Sequence, residues 1–375
     1  MNPHPTDIEY IDDSTDDERE SNEAFDPRDI DISVEQQNID FLIGKLENGE
    51  IDLNTEFQRS TDLWKDDKMS RLIESLMVNF PIPGFYFDIT CKNNWQVVDG
   101  LQRLSALKKF VIDQGLKLQK LDFLKEIEGK TFNELSSDDV YKHRIRAMKR
   151  TQVVLYLIRP STPKPVKYRL YERINTGGLK LNPQEIRHAL NQGIAATYVA
   201  ELSQLPEFQR VVEVSNARML DREFVLRYLA FRETPFSDYK PPLTKFIDNA
   251  MEKIATLSDE RREQLKQEFV KALETAKKIF DNQAFRKITE KGARYNGALF
   301  ETWTVNLSQL TDEKRALLAL NKAQVIDAFK SLLTQNTVFY DSISKKYIPY
   351  KAVETRFVEI EQLIRNVLDN PSIRK

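Results

Sequence analysis

The chain has 375 residues, of which 41% are hydrophobic and 30% are charged, a balance typical of a folded protein with a well-solvated surface. This length exceeds what one ordinary hydrophobic core serves, so it predicts two domains. Cys91 is the single cysteine, which excludes an intramolecular disulfide and any multi-cysteine zinc site. No apolar run approaches a membrane helix or a signal peptide, so we expect a cytoplasmic protein without membrane association.

The N-terminal segment, residues 1–31, is strongly acidic. It holds twelve Asp or Glu residues and two Lys or Arg residues, so its charge is −10 and the rest of the chain carries +8. Such a composition predicts a solvated, disordered leader. The alternative is an intramolecular decoy that covers a basic groove elsewhere in the chain.

Residues 32–98 predict alternating helices and strands. Ser33, with Gln36 three positions later, is a helix N-cap candidate, and the apolar residues that follow it at helical spacing are Ile39, Leu42, Ile43 and Leu46. A short strand at 51–53 and an amphipathic helix that stops at Pro81 come next. The β-type runs Phe85–Ile89 and Trp95–Val98 predict a hairpin or adjacent strands.

The second of these runs continues through Asp99-Gly100 into LQRLSALKKFV, which has apolar residues at helical spacing. A charged insertion is expected over 116–150, followed by the apolar central strand QVVLYLI and by helices to the end of the chain. The sequence therefore predicts an α+β fold, with one domain at 32–200 and an all-helical domain at 201–375.

The strand–glycine–helix segment supplies what an anion site requires. Gly100 lets the backbone approach a ligand closely, and the following helix directs unpaired amides toward a phosphate. Arg103 can add a bidentate contact, Asp99 can hold a metal ion or a ribose hydroxyl, and Gln102 can position a water or a base. The alternative is an ordinary Asp-Gly turn followed by a solvated arginine.

Two further segments carry polar groups suited to the same ligand. In the pair Gln58–Arg59, the arginine offers a second guanidinium that can make bidentate contacts, although the pair also fits a plain surface loop. Glu172 and Asn175 have oxygen ligands suited to magnesium, and Gly177–Gly178 predicts a tight turn with exposed amides. Asn182–Pro183 then predicts the start of a helix, so the segment can also be a simple connection between helices.

These segments together resemble a known family. Gly100, Arg103 and Ala106 fit the GxxRxxA phosphate-binding pattern of the ParB/sulfiredoxin superfamily, and DGLQRLSAL looks like the DGQQR-type signature at the N-terminus of GmrSD-type restriction endonucleases and related anti-phage effectors. FQRSTDLW, NFPIPGFYF and ERINTGGLKLNPQEIRHAL resemble other blocks of that family in the same order. The resemblance covers about residues 34–190.

The resemblance implies a ParB/sulfiredoxin-like domain that binds a nucleoside triphosphate with Mg²⁺ and couples its hydrolysis to the control of a nuclease. The nucleotide contacts that it implies are Gln58, Arg59, Asp99, Gly100, Gln102, Arg103 and Asn175. Leu101 departs from the signature, which usually has Gln there, and this affects the positioning of a base or a water. Sulfiredoxin chemistry is excluded because its motif cysteine is replaced by Leu101 or Gln102.

The C-terminal half carries no nuclease signature. An HNH nuclease needs clustered histidines, whereas His4, His143 and His188 are isolated and His188 is expected to face out of a helix. The segment 294–300, with Trp303, resembles a block of stand-alone relatives. It predicts a tightly packed helix, with docking of a partner nuclease as the alternative.

The densest basic run precedes the predicted central strand and also contains His143. Its candidate nucleic-acid-binding residues are Lys142, Arg144, Arg146, Lys149 and Arg150. Such a run fits either a solvated face or a contact with a DNA backbone, and Phe132 and Tyr141 nearby are candidates for stacking on bases or for the core.

Three functions remain open from the sequence. The leading one is a nucleotide-binding and hydrolysing regulatory subunit of a bacterial defence system that acts with DNA and a separately encoded nuclease or effector. The second is a nonenzymatic DNA-binding adaptor, and the third is a metal-dependent nuclease that uses Asp99. Any of them is compatible with a homo-oligomer.

Overall fold

The structure is a computed structural model that describes residues 8–9, 26–53, 64–90, 94–174, 182–214, 219–345 and 348–369. The chain divides into two compact units. Residues 23–190 form the N-terminal unit, and residues 191–375 together with 1–22 form the helical unit. No helix in the described ranges has both the length and the apolar character needed to cross a membrane.

The strands are short, and most of them lie in the N-terminal unit. In chain order they are β1 (Ile8–Glu9), β2 (Ile32–Asn38), β3 (Ile51–Asp52), β4 (Phe85–Asp88), β5 (Trp95–Asp99), β6 (Gln152–Ile158) and β7 (Tyr295–Asn296). Strands β2 to β6 form one sheet in the order β2-β6-β4-β5-β3.

Helices α1 to α7 belong to the N-terminal unit. They are α1 (Ile39–Glu47), α2 (Asp66–Met77), α3 (Leu101–Leu107), α4 (Phe132–Ser137), α5 (Lys142–Arg150), α6 (Lys164–Ile174) and α7 (Pro183–Leu190). The helical unit contains α8 (Ile194–Ser203), α9 (Pro206–Val211), α10 (Leu220–Glu233), α11 (Leu243–Ala255), α12 (Asp259–Phe280), α13 (Gly297–Ser308), α14 (Asp312–Leu320), α15 (Lys322–Gln335), α16 (Thr337–Ser342) and α17 (Tyr350–Asp369).

The sheet mixes parallel and antiparallel pairs. Strand β6 pairs antiparallel with β2 and parallel with β4, so QVVLYLI is an interior strand, as its apolar composition predicted. Strands β4 and β5 pair antiparallel, which confirms the predicted adjacent strands. One face of the sheet is buried in a core with side chains from α1, α2 and α3, and its strand residues include Phe85, Phe87, Val97 and Leu155.

The structure corrects the predicted helix at Ser33. Residues 32–38 form β2, which pairs with β6 along its whole length, and the helix begins only at Ile39. Its N-cap is Asn38, whose Oδ1 accepts a hydrogen bond from the Phe41 amide at 2.9 Å. The sequence thus placed the N-cap five residues too early. Residues 32–38 form a strand because the outer edge of β6 needs hydrogen-bond partners, and β2 supplies them.

The segment 116–150 is part of the core, contrary to the expected charged insertion. Leu116, Leu118 and Ile127 are fully buried, and helices α4 and α5 pack against each other. The buried carboxylate of Glu74 accepts hydrogen bonds from the backbone amides of residues 122–124 at 2.7–2.9 Å. These hydrogen bonds hold residues 122–124 against α2 and satisfy the buried carboxylate. This polar segment can therefore pack onto an apolar core.

The sequence predicted an all-helical second domain, but the helical unit also contains two short strands. Strand β1 pairs in parallel with β7, so Ile8 and Glu9 of the predicted leader are in a strand. The predicted core role of the segment before Trp303 is confirmed, because Phe300 and Trp303 are 0% and 1% exposed. A Cβ at Gly297 would lie 3.3 Å from Cζ of Arg227 on α10, so α13 and the Arg227 side chain approach closely at this glycine.

A buried ion network joins three helices of this unit. Glu301 on α13 is fully buried between Arg227 on α10 and Arg356 on α17, and its Oε2 lies 3.2 Å from Nη1 of Arg227. Glu223 supplies a second carboxylate to Arg227 at 2.9 Å. Two arginines and two glutamates thus balance in charge, which is the condition for burying such groups.

Candidate functional site

The predicted strand–glycine–helix segment is present in the structure. Strand β5 ends at Asp99, and Gly100 caps α3 with a φ of +104°. A Cβ at this position would lie 2.4 Å from Cδ1 of Phe85, so glycine is required both by the backbone angle and by the space. The first intrahelical bond joins the Leu104 amide to the Gly100 carbonyl at 2.9 Å, so the preceding amides have no partner within the helix.

Arg103 is buried, with only 7% of its surface exposed. Its Nη1 donates to the carbonyls of Pro83 and Gly84, and its Nη2 donates to Asp99 Oδ2 at 2.7 Å. The guanidinium also lies 4.5 Å from the ring centroid of Phe85. Burial lowers the pKa of Arg103, while Asp99 opposes this shift. Arg103 therefore fastens the segment before β4 to the start of α3.

Asp99 and Gln102 face different neighbours. The Asp99 side chain is 34% exposed although it is paired with Arg103, so part of this carboxylate remains open to a ligand. Gln102 Oε1 accepts a hydrogen bond from the Trp64 amide at 2.9 Å. Trp64 lies just before α2, so Gln102 connects α3 to the residues that lead into α2. Gln58 and Arg59 themselves lie outside the described residues.

The second face of the sheet carries a row of side chains that the sequence analysis missed. Val34 lies opposite Tyr156, Tyr156 opposite Tyr86, and Tyr86 opposite Asp99. Residues directly opposite each other share one face of a sheet, so the row runs across four strands to the candidate site. A register shift between Tyr86 and Phe87 leaves Val98 without a partner on β4, as in a β-bulge, a feature frequent beside active sites.

The two tyrosines of this row are stacked. Their ring centroids are 4.4 Å apart and the ring planes differ by 9°. Burial raises the pKa of Tyr86, and Tyr156 and Asp99 add to this shift while Arg103 opposes it. The alternation of FYFD and QVVLYLI was the available signal, because it places both tyrosines on the side opposite to the core residues.

A buried polar cluster holds α6 over the rest of this face. Lys167 Nζ lies 2.8 Å from Asp88 Oδ2 and donates to Thr90 Oγ1 at 2.5 Å, and the Tyr171 hydroxyl donates to Asp88 Oδ2 at 3.0 Å. Asp88, Lys167 and Tyr171 are 6%, 5% and 1% exposed. Burial raises the pKa of Tyr171 well above its usual value, and Asp88 adds to the shift. The cluster thus fixes the helix that leads into the third predicted segment.

The third predicted segment is only partly described. Glu172 is half-buried on α6, next to Tyr171 of the polar cluster. Asn175, Gly177 and Gly178 lie outside the described residues, so their expected position beside Gly100 stays a prediction. In the described ranges, no group of three His, Cys, Asp or Glu residues is arranged to hold a metal ion.

The helix expected after this segment is confirmed. It begins at Pro183, with Asn182 Oδ1 accepting from the Glu185 amide at 2.8 Å and Glu185 Oε2 accepting from the Asn182 amide at 2.6 Å. His188 was expected to face out of this helix, but it is only 5% exposed. The helix is buried on nearly all sides, so its periodicity could not indicate which residues face solvent.

The candidate nucleic-acid-binding residues lie together on α5. Ile145 and Met148 are its buried side, and Arg146 and Arg150 lie one turn apart on its exposed side. Lys142 pairs with Asp139, and Lys149 lies 3.0 Å from Asp40. The structure describes no carboxylate paired with Arg144, Arg146 or Arg150.

Phe132 and Tyr141 near this helix are partly buried against the core of the N-terminal unit. The Phe132 ring meets that of Phe110 edge-on, with centroids 5.6 Å apart, and Lys130 Nζ lies 4.9 Å from the centroid of Tyr141. These contacts favour the core interpretation of the two aromatics, which pack near the helix that carries the basic residues.

Residues 42–192 match the family model described as GmrSD restriction endonuclease, N-terminal domain. No curated protein and no solved structure matches the chain. The matched segment includes β4, β5, α3, β6, α6 and α7, and so contains the whole candidate site. Over this segment the chain is therefore similar to the N-terminal domain of a restriction endonuclease.

Proposed function

We propose that the N-terminal unit binds a nucleoside triphosphate with Mg²⁺ at the start of α3 and hydrolyses it to regulate a separately encoded nuclease or effector. The observation that carries this proposal is the partly exposed Asp99 carboxylate, which Arg103 holds where β5 ends and the first turn of α3 begins. An anion at a helix start is stabilised by these amides and by the helix dipole. The ParB/sulfiredoxin-like fold of the unit is part of the same proposal.

Each residue has a stated role in this proposal. The amides after Gly100 bind the phosphates, Asp99 holds the magnesium ion or the ribose, and Gln102 orients the base or the attacking water. Arg103 acts as a positioning residue because its guanidinium is bonded to two carbonyls and to Asp99. The remaining contacts proposed from the sequence are Gln58, Arg59, Glu172, Asn175, Gly177 and Gly178.

Calorimetry with ATP, GTP, CTP and UTP, with and without Mg²⁺, tests the proposal. We expect saturable binding of at least one nucleotide, and Asp99→Asn should weaken the Mg²⁺-dependent binding by about 1.5–3 kcal/mol, the range for a hydrogen bond to a charged group. Asp113→Asn is the matched control, since Asp113 pairs with Lys108 at 2.7 Å on the surface of the same unit. Equal loss in both variants would remove Asp99 from the site.

A second candidate function is the DNA-binding adaptor, which the unpaired arginines on the exposed side of α5 favour. Contacts to phosphates release counterions, so such binding falls steeply as salt is added. Strongly salt-dependent DNA binding by a chain that binds none of the four nucleotides would favour this function over the first.

A further inference from the structure

The sheet face that carries Tyr86 and Tyr156 is open where α6 does not cover it. Val34 is 62% exposed and Val154 is 36% exposed on this face, and both tyrosines are half-buried. The exposed face of a sheet ordinarily carries polar side chains. Two valines and two stacked tyrosines in this place form an apolar surface, here called the tyrosine platform, that suits a flat apolar ligand.

The orientation of the rings follows from the strand order. Tyr86 lies on β4 between β6 and β5, and one face of its ring contacts Tyr156 on β6. Its other face is therefore turned toward β5, where Asp99 is the residue opposite Tyr86. Neighbouring strands are about 4.8 Å apart, so a third ring stacked on Tyr86 would lie beside Asp99 and the start of α3.

The backbone before β4 keeps the platform and the phosphate site in a fixed relation. A Cβ at Gly84 would lie 2.9 Å from Cε2 of Tyr156 and 3.0 Å from the Val154 carbonyl, so Gly84 leaves the space that this ring occupies. The carbonyl of the same glycine accepts a hydrogen bond from Nη1 of Arg103 at 3.2 Å. One residue thus connects the ring pair with the arginine that positions Asp99.

We infer that the tyrosine platform stacks against the base of the nucleotide whose phosphates lie at the start of α3. This inference rests on the proposed nucleotide site and assigns it a base subsite. A single ligand that occupied both the platform and the start of α3 would need a flat aromatic ring joined to a polyanion. A nucleotide is the class of small molecule that has both groups. Since every base has a π face, stacking adds affinity with little choice among the four bases.

The test compares nucleoside triphosphates with inorganic triphosphate, which has no base, by calorimetry with Mg²⁺ on the full chain. Tyr86→Leu should weaken the binding of each nucleotide about 5- to 150-fold, which corresponds to about 1–3 kcal/mol of stacking. The same variant should bind inorganic triphosphate as the wild type does. Tyr86→Phe keeps the ring and should keep the affinity.

Tyr141→Leu is the matched control, because Tyr141 is another half-buried tyrosine of the same unit and packs against the core that contains Phe85 and Phe87, on the other face of the sheet from Tyr86. It should bind nucleotides with wild-type affinity, and hydrogen exchange should show that β4 and β6 remain folded in every variant. A Tyr86→Leu chain that is folded and binds nucleotides with unchanged affinity overturns the base subsite and leaves the proposed function intact.

Two other outcomes also decide the matter. Equal loss of nucleotide and of inorganic triphosphate in Tyr86→Leu would mean that the ring acts through the phosphate site, which overturns the inference. If the wild type binds neither ligand but binds single-stranded DNA, and Tyr86→Leu loses that binding, the proposed function fails and the platform belongs to nucleic-acid bases.

Discussion

Replacing Gly100 with alanine perturbs the candidate site at its tightest point. The substitution imposes two separate penalties on the folded state. The first is the φ of +104°, which an L-residue adopts at a cost of about 1–2 kcal/mol. The second is the new Cβ, which would lie 2.4 Å from the Phe85 ring and must push it aside. Overpacking of this kind costs about 1–3 kcal/mol, so Gly100→Ala should destabilise the N-terminal unit by about 2–5 kcal/mol.

Gly129→Ala separates the two penalties. Gly129 also has a positive φ, +81°, but no atom lies within 4 Å of its Cβ position, so this variant should cost only about 1–2 kcal/mol. Because the chain has two units, a global unfolding curve would mix their transitions. Hydrogen exchange measured in urea, on peptides from residues 85–107, reports the stability of the strands and helix around Gly100.

A double-mutant cycle with Phe85→Leu then tests the cause. Phe85→Leu removes the ring, so it should recover part of the stability that Gly100→Ala loses. The reason is that the stability effects of substitutions at two residues in contact are not additive. The reasoning is refuted if Gly100→Ala destabilises the chain no more than Gly129→Ala does, or if the Phe85 and Gly100 changes simply add.

The remaining predictions concern buried charges. Lys167→Met should destabilise the N-terminal unit by about 3–5 kcal/mol in the same exchange assay, since it leaves Asp88 buried without its cation, and adding Asp88→Asn should restore part of that loss. A double variant as unstable as the sum of the single ones would contradict this. Burial raises the pKa of Asp221, so its contribution to stability is full below the unfolded pKa of about 4 and is lost as the pH rises through the folded pKa. Asp221→Asn, on α10, should therefore gain stability relative to the wild type between pH 4.5 and pH 7.5. A difference that stays constant with pH, in hydrogen exchange measured in urea on peptides from α10, would rule this out.

The local features of the site could be predicted because their causes are local. The Asp99-Gly100 turn needs one residue with a positive φ between a strand and a helix. Asn182 caps α7 because its side chain accepts a hydrogen bond from the amide of Glu185, three residues later, and the Glu185 side chain accepts one from the Asn182 amide. Signals of this kind depend on neighbours within one helical turn. They placed the start of α3 and the start of α7 without any knowledge of the fold.

The helix assigned to Ser33 shows where local signals fail. Residues 33–36 contain a cap pattern, yet the same residues complete the hydrogen bonds of β6, which lies more than 110 positions later in the chain. Burial of a strand with unpaired amides and carbonyls costs more than the propensity difference between helix and strand. Tertiary contacts therefore decided that β2 is a strand.

Long-range register also decided what the candidate site contains. The sequence by itself determined a glycine-helix segment with an acid and an arginine, but it gave no reason to expect Arg103 to be buried on the carbonyls of Pro83 and Gly84. Only the pairing of β4 with β5 and β6 brings Tyr86 and Tyr156 into one row with Asp99. A shift of one residue in either pairing would send these side chains to the opposite face, so the row depends on the folded sheet and not on any local pattern.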